Sequence, residues 1–153
     1  MSELDAFDVK ILNCLQADNR QTSEAIAEAV GLSPTACQRR IKRLRQSGAI
    51  AAEVAVVSPE VVGGRVTMII QVLLERGRAD IVDSFKREVR SIPEVQQCYY
   101  VTGEYDFVLI VTAKDMADYE RLTRHIFFDN PNIQRFHTSV TMESVKVGLQ
   151  IPL

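Results

Sequence analysis

The sequence predicts an α+β protein of two small domains, an N-terminal helix-turn-helix followed by a ferredoxin-like βαββαβ domain. Two observations predict it. Up to residue 58, apolar residues recur every three to four positions in three short runs, each closed by a helix-stop signal. From Arg65 onward, period-two alternation takes over and is twice interrupted by helical spacing. The boundaries that follow are 1–58 for the helix-turn-helix domain with a short strand, 59–65 for a linker, and 66–153 for the ferredoxin-like domain.

The elements justify this in order. Leu4, Phe7, Ile11 and Leu15 form the apolar stripe of a first helix that opens near Asp5 and breaks at Asp18-Asn19-Arg20. Thr22 caps a second helix, which carries Ile26, Ala27 and Val30. In Gly31-Leu32-Ser33-Pro34, Gly31 suits the position just past a helix end, Ser33 an N-cap and Pro34 the first helical position. The third helix then runs to about Ser47, and Gly48 stops it. β-Branched residues between Ala49 and Val57 suggest a short strand, and Ser58-Pro59 with Gly63-Gly64 marks the linker.

In the second half, Val66, Met68, Ile70, Val72 and Leu74 alternate as a half-buried strand does. Ile81, Val82, Phe85 and Val89 have helical spacing, and Pro93 separates that helix from a strand over Val95 to Thr102. Phe107, Leu109 and Val111 mark a third strand. Asp115 caps a helix with Met116, Tyr119, Leu122 and Ile126, and Phe136, Thr138, Val140 and Met142 alternate along the last strand.

Composition narrows the function classes. The chain has 153 residues, 46% hydrophobic and 25% charged, with a net charge of −2, so it is not uniformly basic. Yet no acid occurs between Ala29 and Ala52, a window that holds Arg39, Arg40, Lys42, Arg43 and Arg45. A local basic patch on an acidic protein still gives an electrostatic footprint for DNA. Cys14, Cys37 and Cys98 are odd in number and form no CxxC, which argues against a disulfide framework and for a reducing cytoplasm. The opening MSELDAFDVK has no signal-peptide pattern, and the longest apolar runs are too short to cross a bilayer.

The third helix carries the clearest chemistry. Cys37, Ile41 and Leu44 share one face at 3.6 residues per turn, leaving Thr35, Gln38, Arg39, Lys42 and Arg43 outward. Short polar groups at Ser33 and Thr35, followed by longer donors, suit a helix entering the major groove of double-stranded DNA. Arg pairs with guanine and Gln with adenine through two hydrogen bonds, which gives Gln38 and Arg39 base-reading chemistry. Arg40 joins the expected DNA-binding set, and Lys42, Arg43 and Arg45 suit phosphates. The competing reading is a solvated basic face with no ligand. The preceding helix and turn weigh against it.

Leu4 to Leu12, Gly31-Leu32-Ser33-Pro34, Arg39 to Leu44 and Ser47-Gly48-Ala49-Ile50 together resemble the DNA-binding half of Lrp/AsnC (feast/famine) regulators. Val101-Thr102-Gly103-Glu104-Tyr105-Asp106 resembles that family's effector-loop motif, so the likeness runs nearly end to end. It implies a winged-type helix-turn-helix, a RAM/ACT-like C-terminal domain, and homodimers that assemble into octamers. It also implies an amino acid or related metabolite as effector, bound at contacts between dimers.

The turn has physics of its own. Gly103 allows conformations that a β-carbon obstructs, exposed amides at Thr102, Gly103, Glu104 and Tyr105 suit a carboxylate, and Asp106 suits an α-ammonium group. By resemblance, Thr138, Ser139 and Thr141 supply hydroxyls from the same or a neighbouring chain. The plainer reading is a hairpin connection with a surface acid.

Other candidates point nowhere. His125 and His137 are too far apart for a local metal motif, Cys98 reads as a small buried residue, and Tyr99 and Tyr100 face opposite sides of a strand. No GxGxxG, P-loop or GxSxG occurs, so no catalytic residue, cofactor or metal is expected. The rival functions are a ligand-independent architectural DNA-binding protein, an enzyme on the ferredoxin-like half, and a metabolite-binding module that leaves DNA alone.

Overall fold

A computed structural model describes residues 4–75 and 79–153. The chain divides into two compact units, one running to Val56 and taking in Lys146–Leu153, the other spanning Val57–Val145. The last eight residues, expected in the second domain, therefore group with the first.

The first unit holds helices α1 (Ala6–Ala17), α2 (Ser23–Val30) and α3 (Pro34–Gln46). Each begins on a side-chain cap. Asp5 accepts from the amides of Phe7 and Asp8, Thr22 from that of Ala25, and Ser33 from that of Ala36. Asp5 and Asp8 complete a reciprocal capping box. Gly31 ends α2 in the left-handed region at φ 78°, which lets the chain turn sharply into Ser33 and Pro34.

The three helices close over Ile11, Leu12, Ile26, Ala27, Val30, Cys37, Ile41 and Leu44. The buried side of α1 differs from the expected stripe. Leu4 and Phe7 are exposed, and Asp8 is buried beside Ile11 and Leu12. A carboxylate is sheltered there only because it is paired, as described below. At the end of the chain, Gln16 and the tail exchange hydrogen bonds: the Gln16 amide donates to the Ile151 carbonyl (3.0 Å), and its side-chain oxygen accepts from the Ile151 amide (2.9 Å).

The expected strand within Ala49 to Val57 does not form; residues 51–58 join no ladder and are exposed. A strand needs a ladder partner, and the described residues of the first unit contain no other strand.

The second unit is a four-stranded antiparallel sheet of β1 (Val66–Leu74), β2 (Val95–Tyr100), β3 (Phe107–Ala113) and β4 (Ile133–Val140), in the order β2-β3-β1-β4. With α4 (Ala79–Arg90) and α5 (Met116–Thr123), this gives the βαββαβ sequence. Alternate residues of β1 and β3 bury against Phe85 and Val89 of α4 and against Ile126 and Phe127. These last two sit on a π-helical turn, Arg124–Phe128, which continues α5 where a regular helix was expected. β2 and β4 stop sooner than predicted, leaving Thr102 and Met142 outside the ladder. Cys98 lies exposed on the edge strand β2, correcting its reading as buried; one neighbouring strand covers it where a central position would have two.

Ile70, at the centre of β1 with no exposed surface, is the test of this core. Ile70→Ala should lower the unfolding free energy by ~2–5 kcal/mol, read from the midpoint of denaturant unfolding at unchanged slope.

Candidate functional site

The first unit positions its polar side chains through α3. Because Cys37, Ile41 and Leu44 are locked into the core, the helix has one rotational setting, and Ser33, Thr35, Gln38, Arg39, Lys42 and Arg43 are left exposed. Ser33 is also occupied locally, its hydroxyl oxygen accepting from the Ala36 amide at 3.3 Å. Thr35, Gln38, Arg39 and Lys42 line a groove of about 660 Å³, together with Gln21 and Ser23 at the start of α2. Leu15 and Ile41 form its apolar floor and Arg45 adds a third cation, so the concave surface mixes apolar with polar and basic groups.

The five cations of α3 fall into two sets. Arg39 and Lys42 have no ion-pair partner among the described residues. Arg40 Nη1 donates to Asp5 Oδ2 (2.7 Å) and to Asp8 Oδ1 (2.8 Å), and Arg43 Nη2 donates to Asp8 Oδ2. Arg45 meets Glu53 through two parallel bonds of 2.9 and 2.7 Å. Arg40 is correspondingly half-buried, with 23% of its side chain exposed, and its guanidinium lies over the Phe7 ring at 5.6 Å. The outward setting predicted for Arg43 is met, but its charge already faces an acid on α1.

Asp8 is the residue that sequence reasoning missed. Its side chain is 1% exposed, yet both oxygens are satisfied, by two arginines and by the Asp5 amide. The local signal is partial: an acid at i sits on the same helical face as Ile11 and Leu12 and so needs a cation, but nothing local names which one.

The second unit brings part of the predicted effector set together. Gly103 takes φ +127°, a conformation open to glycine, and a β-carbon there would meet nothing within 4 Å. The Asp106 carboxylate anchors the loop: Oδ2 accepts from the Leu74 amide (2.8 Å), while the Asp106 amide donates to the Val72 carbonyl (2.9 Å). The amides of Thr102, Gly103, Glu104 and Tyr105 make no hydrogen bond to another described residue. Glu104 is paired to Arg135 of β4 at 2.6 Å, and that guanidinium lies 5.3 Å over the Tyr105 ring.

The three β4-side hydroxyls are placed differently. Thr138 Oγ1 accepts from the Tyr119 hydroxyl at 2.7 Å. Ser139 lies one residue along and so on the opposite face. The Thr141 amide donates to the Thr67 carbonyl, five residues along β1 from the Val72 that holds the loop. At ~3.3 Å per residue that is roughly 16 Å, so a single chain keeps Thr141 away from Gly103.

Three comparisons bear on this pair of sites. An AsnC-type helix-turn-helix domain model matches residues 4–45, and an Lrp/AsnC ligand binding domain model matches residues 67–151, more than half of the chain. The chain belongs to the Lrp/AsnC family. It is 57% identical over 151 residues to an HTH-type transcriptional regulator of Sinorhizobium fredii, covering 99% of this chain and 89% of that one. It is 36% identical over 143 residues to the leucine-responsive regulatory protein of Haemophilus influenzae, covering 94% and 86%. Among solved structures it is similar to a transcriptional regulator of Neisseria meningitidis in complex with L-Met, with TM-score 0.90, 31% identity, and coverage of 98% and 97%. It also resembles an AsnC family regulator of Agrobacterium tumefaciens, with TM-score 0.89, 30% identity, and coverage of 97% and 96%.

This Lrp/AsnC protein is therefore a transcriptional regulator with a helix-turn-helix and a ligand-binding domain, and its family consists of regulators, not enzymes. Its described helices include none long and apolar enough to cross a membrane.

The capping box carries a pH signature. The Asp8 amide, and after it the Arg40 guanidinium, hold the Asp5 carboxyl below its ordinary value of 3.8. A depressed folded value means that the stability Asp5 supplies is present above 3.8 and is lost as pH falls from there through the lower folded value. Asp5→Asn keeps the cap and removes the titration. Its melting temperature should fall less on acidification across that window than the unsubstituted protein's, measured by thermal unfolding at a series of pH values.

Proposed function

We propose that this regulator reads a specific DNA sequence with the exposed face of α3 and is controlled by an amino acid or related small metabolite at the Gly103 loop. One observation supports the DNA reading above others: Thr35, Gln38, Arg39 and Lys42 line one basic groove while the opposite side of the same helix is locked into the core. In the proposed complex, Ser33 and Thr35 approach the backbone and base edges at the helix start. Gln38 and Arg39 read bases, and Lys42 neutralises a phosphate. Arg40 and Arg43 reach the DNA only by leaving Asp8.

The effector reading rests on the four unbonded amides of the loop, which together suit a carboxylate, and on the free Oδ1 edge of Asp106, which suits an ammonium group. The N. meningitidis relative crystallised with L-Met gives the ligand class. Since one chain keeps Thr141 from the loop, Ser139 and Thr141 serve a ligand presented by a neighbouring chain, and Thr138 lines the same strand. The reading adopted is a ligand bound at contacts between dimers. Exposed Ile69 and Tyr99 on the open face of the sheet, and Val54, Val56 and Val57 before it, supply apolar area for a second copy to cover. The homodimer would build into an octamer and act in the cytoplasm.

Arg39→Ala should weaken operator binding by ~1–3 kcal/mol with little change on unrelated DNA, measured by gel shift; equal losses on both would remove its base-reading role. A thermal-shift screen of amino acids tests the effector. One or more should raise the melting temperature, and Asp106→Asn, which keeps an acceptor for the Leu74 amide, should abolish that rise. A protein unmoved by every amino acid would instead be an architectural DNA-binding protein.

A further inference from the structure

We infer that Asp8 is a specificity-determining residue of the DNA interface: by holding Arg40 and Arg43 against α1, it withholds two of α3's cations from phosphates and keeps non-specific affinity low. This rests on the reading of α3 as the DNA-contacting helix.

Sequence-independent binding grows with every cation offered to the phosphate backbone, whereas operator recognition needs donors aimed at base edges. A helix carrying Arg39, Arg40, Lys42, Arg43 and Arg45 offers five. Among the described residues two are left without an ion-pair partner, Arg39 and Lys42, and both lie in the groove with Gln38 and Thr35. Arg40 and Arg43 converge on the two oxygens of one carboxylate whose side chain is 1% exposed.

The geometry makes this retention strong where an ordinary surface pair would be weak. Asp8 is sheltered, so moving either arginine to a phosphate leaves a buried charge partly uncompensated. Arg40 is held further by Asp5 and by the Phe7 ring. Arg45 and Arg43 are equally exposed, at 49% of the side chain, but Arg45 faces a carboxylate that is 34% exposed where Asp8 is 1% exposed, so Arg45 is released more readily. Asp8 therefore acts as a positioning residue. It touches no DNA, yet it sets which cations DNA meets.

The readout is the salt dependence of binding to a non-operator duplex, which counts phosphate contacts and does not depend on how stable the fold is. Asp8→Asn should steepen the slope of log affinity against log salt by ~0.9–1.8, for one or two arginines released. Arg43→Gln, which keeps a donor for Asp8, should leave the slope of the otherwise unsubstituted protein unchanged. Lys42→Gln should flatten it by ~0.9 and is the control for the interface itself. An unchanged or flatter slope in folded Asp8→Asn overturns the inference, and so does flattening by Arg43→Gln. If Asp8→Asn fails to fold, the Arg43→Gln slope decides alone. If Lys42→Gln also leaves the slope unchanged, the assignment of α3 to DNA has failed, and with it the inference.

Discussion

The first unit depends on one ionic constraint, the Asp8 carboxylate clamped between Arg40 and Arg43. Three short helices with a small core have limited apolar area to fix their angles. Hydrophobic contact sets which face of each helix turns inward, but having no direction it constrains the angles between helices less. A sheltered carboxylate with two guanidinium partners does have direction, and it joins the first turn of α1 to the middle of α3. It also couples folding to charge, since removing either arginine leaves the sheltered Asp8 carboxylate partly uncompensated. The same three residues thus fix where the groove-lining helix lies and how much positive charge it shows.

The second unit is organised by a different rule. Alternate residues of β1 and β3 fill its core, so every side chain there has its face fixed by register. The loop at Gly103 inherits its position from that register through Asp106, whose amide and carboxylate both bind the end of β1. An acid that reads in the sequence as a ligand-facing group is in the structure first a loop anchor, with one carboxylate edge left over. The separation of this loop from Thr141 follows from the same ladder and is not adjustable within one chain.

Much of the fold was legible because it depends on local signals. The caps at Asp5, Thr22, Ser33 and Asp115, the left-handed turn at Gly31, and the alternation of Met68, Ile70 and Val72 are each written in a few adjacent residues. What was not legible depends on partners far away in sequence. Asp8 lies 32 and 35 residues from the arginines it binds. The segment after Ala49 has strand-like composition but no ladder to join within its unit. Cys98 reads in the sequence as a small buried residue and emerges exposed because β2 is an edge strand, a property of strand order that no local pattern encodes. The exposed face of α3 was visible in the sequence. The division of its cations into free and held was not.

The grouping of Lys146–Leu153 with the first unit has a consequence for how that unit is completed. The helical unit draws on residues from both sides of the sheet unit in sequence. Its closure therefore waits on the tail, whose Gln150 and Ile151 meet Gln16 across 134 and 135 positions of chain.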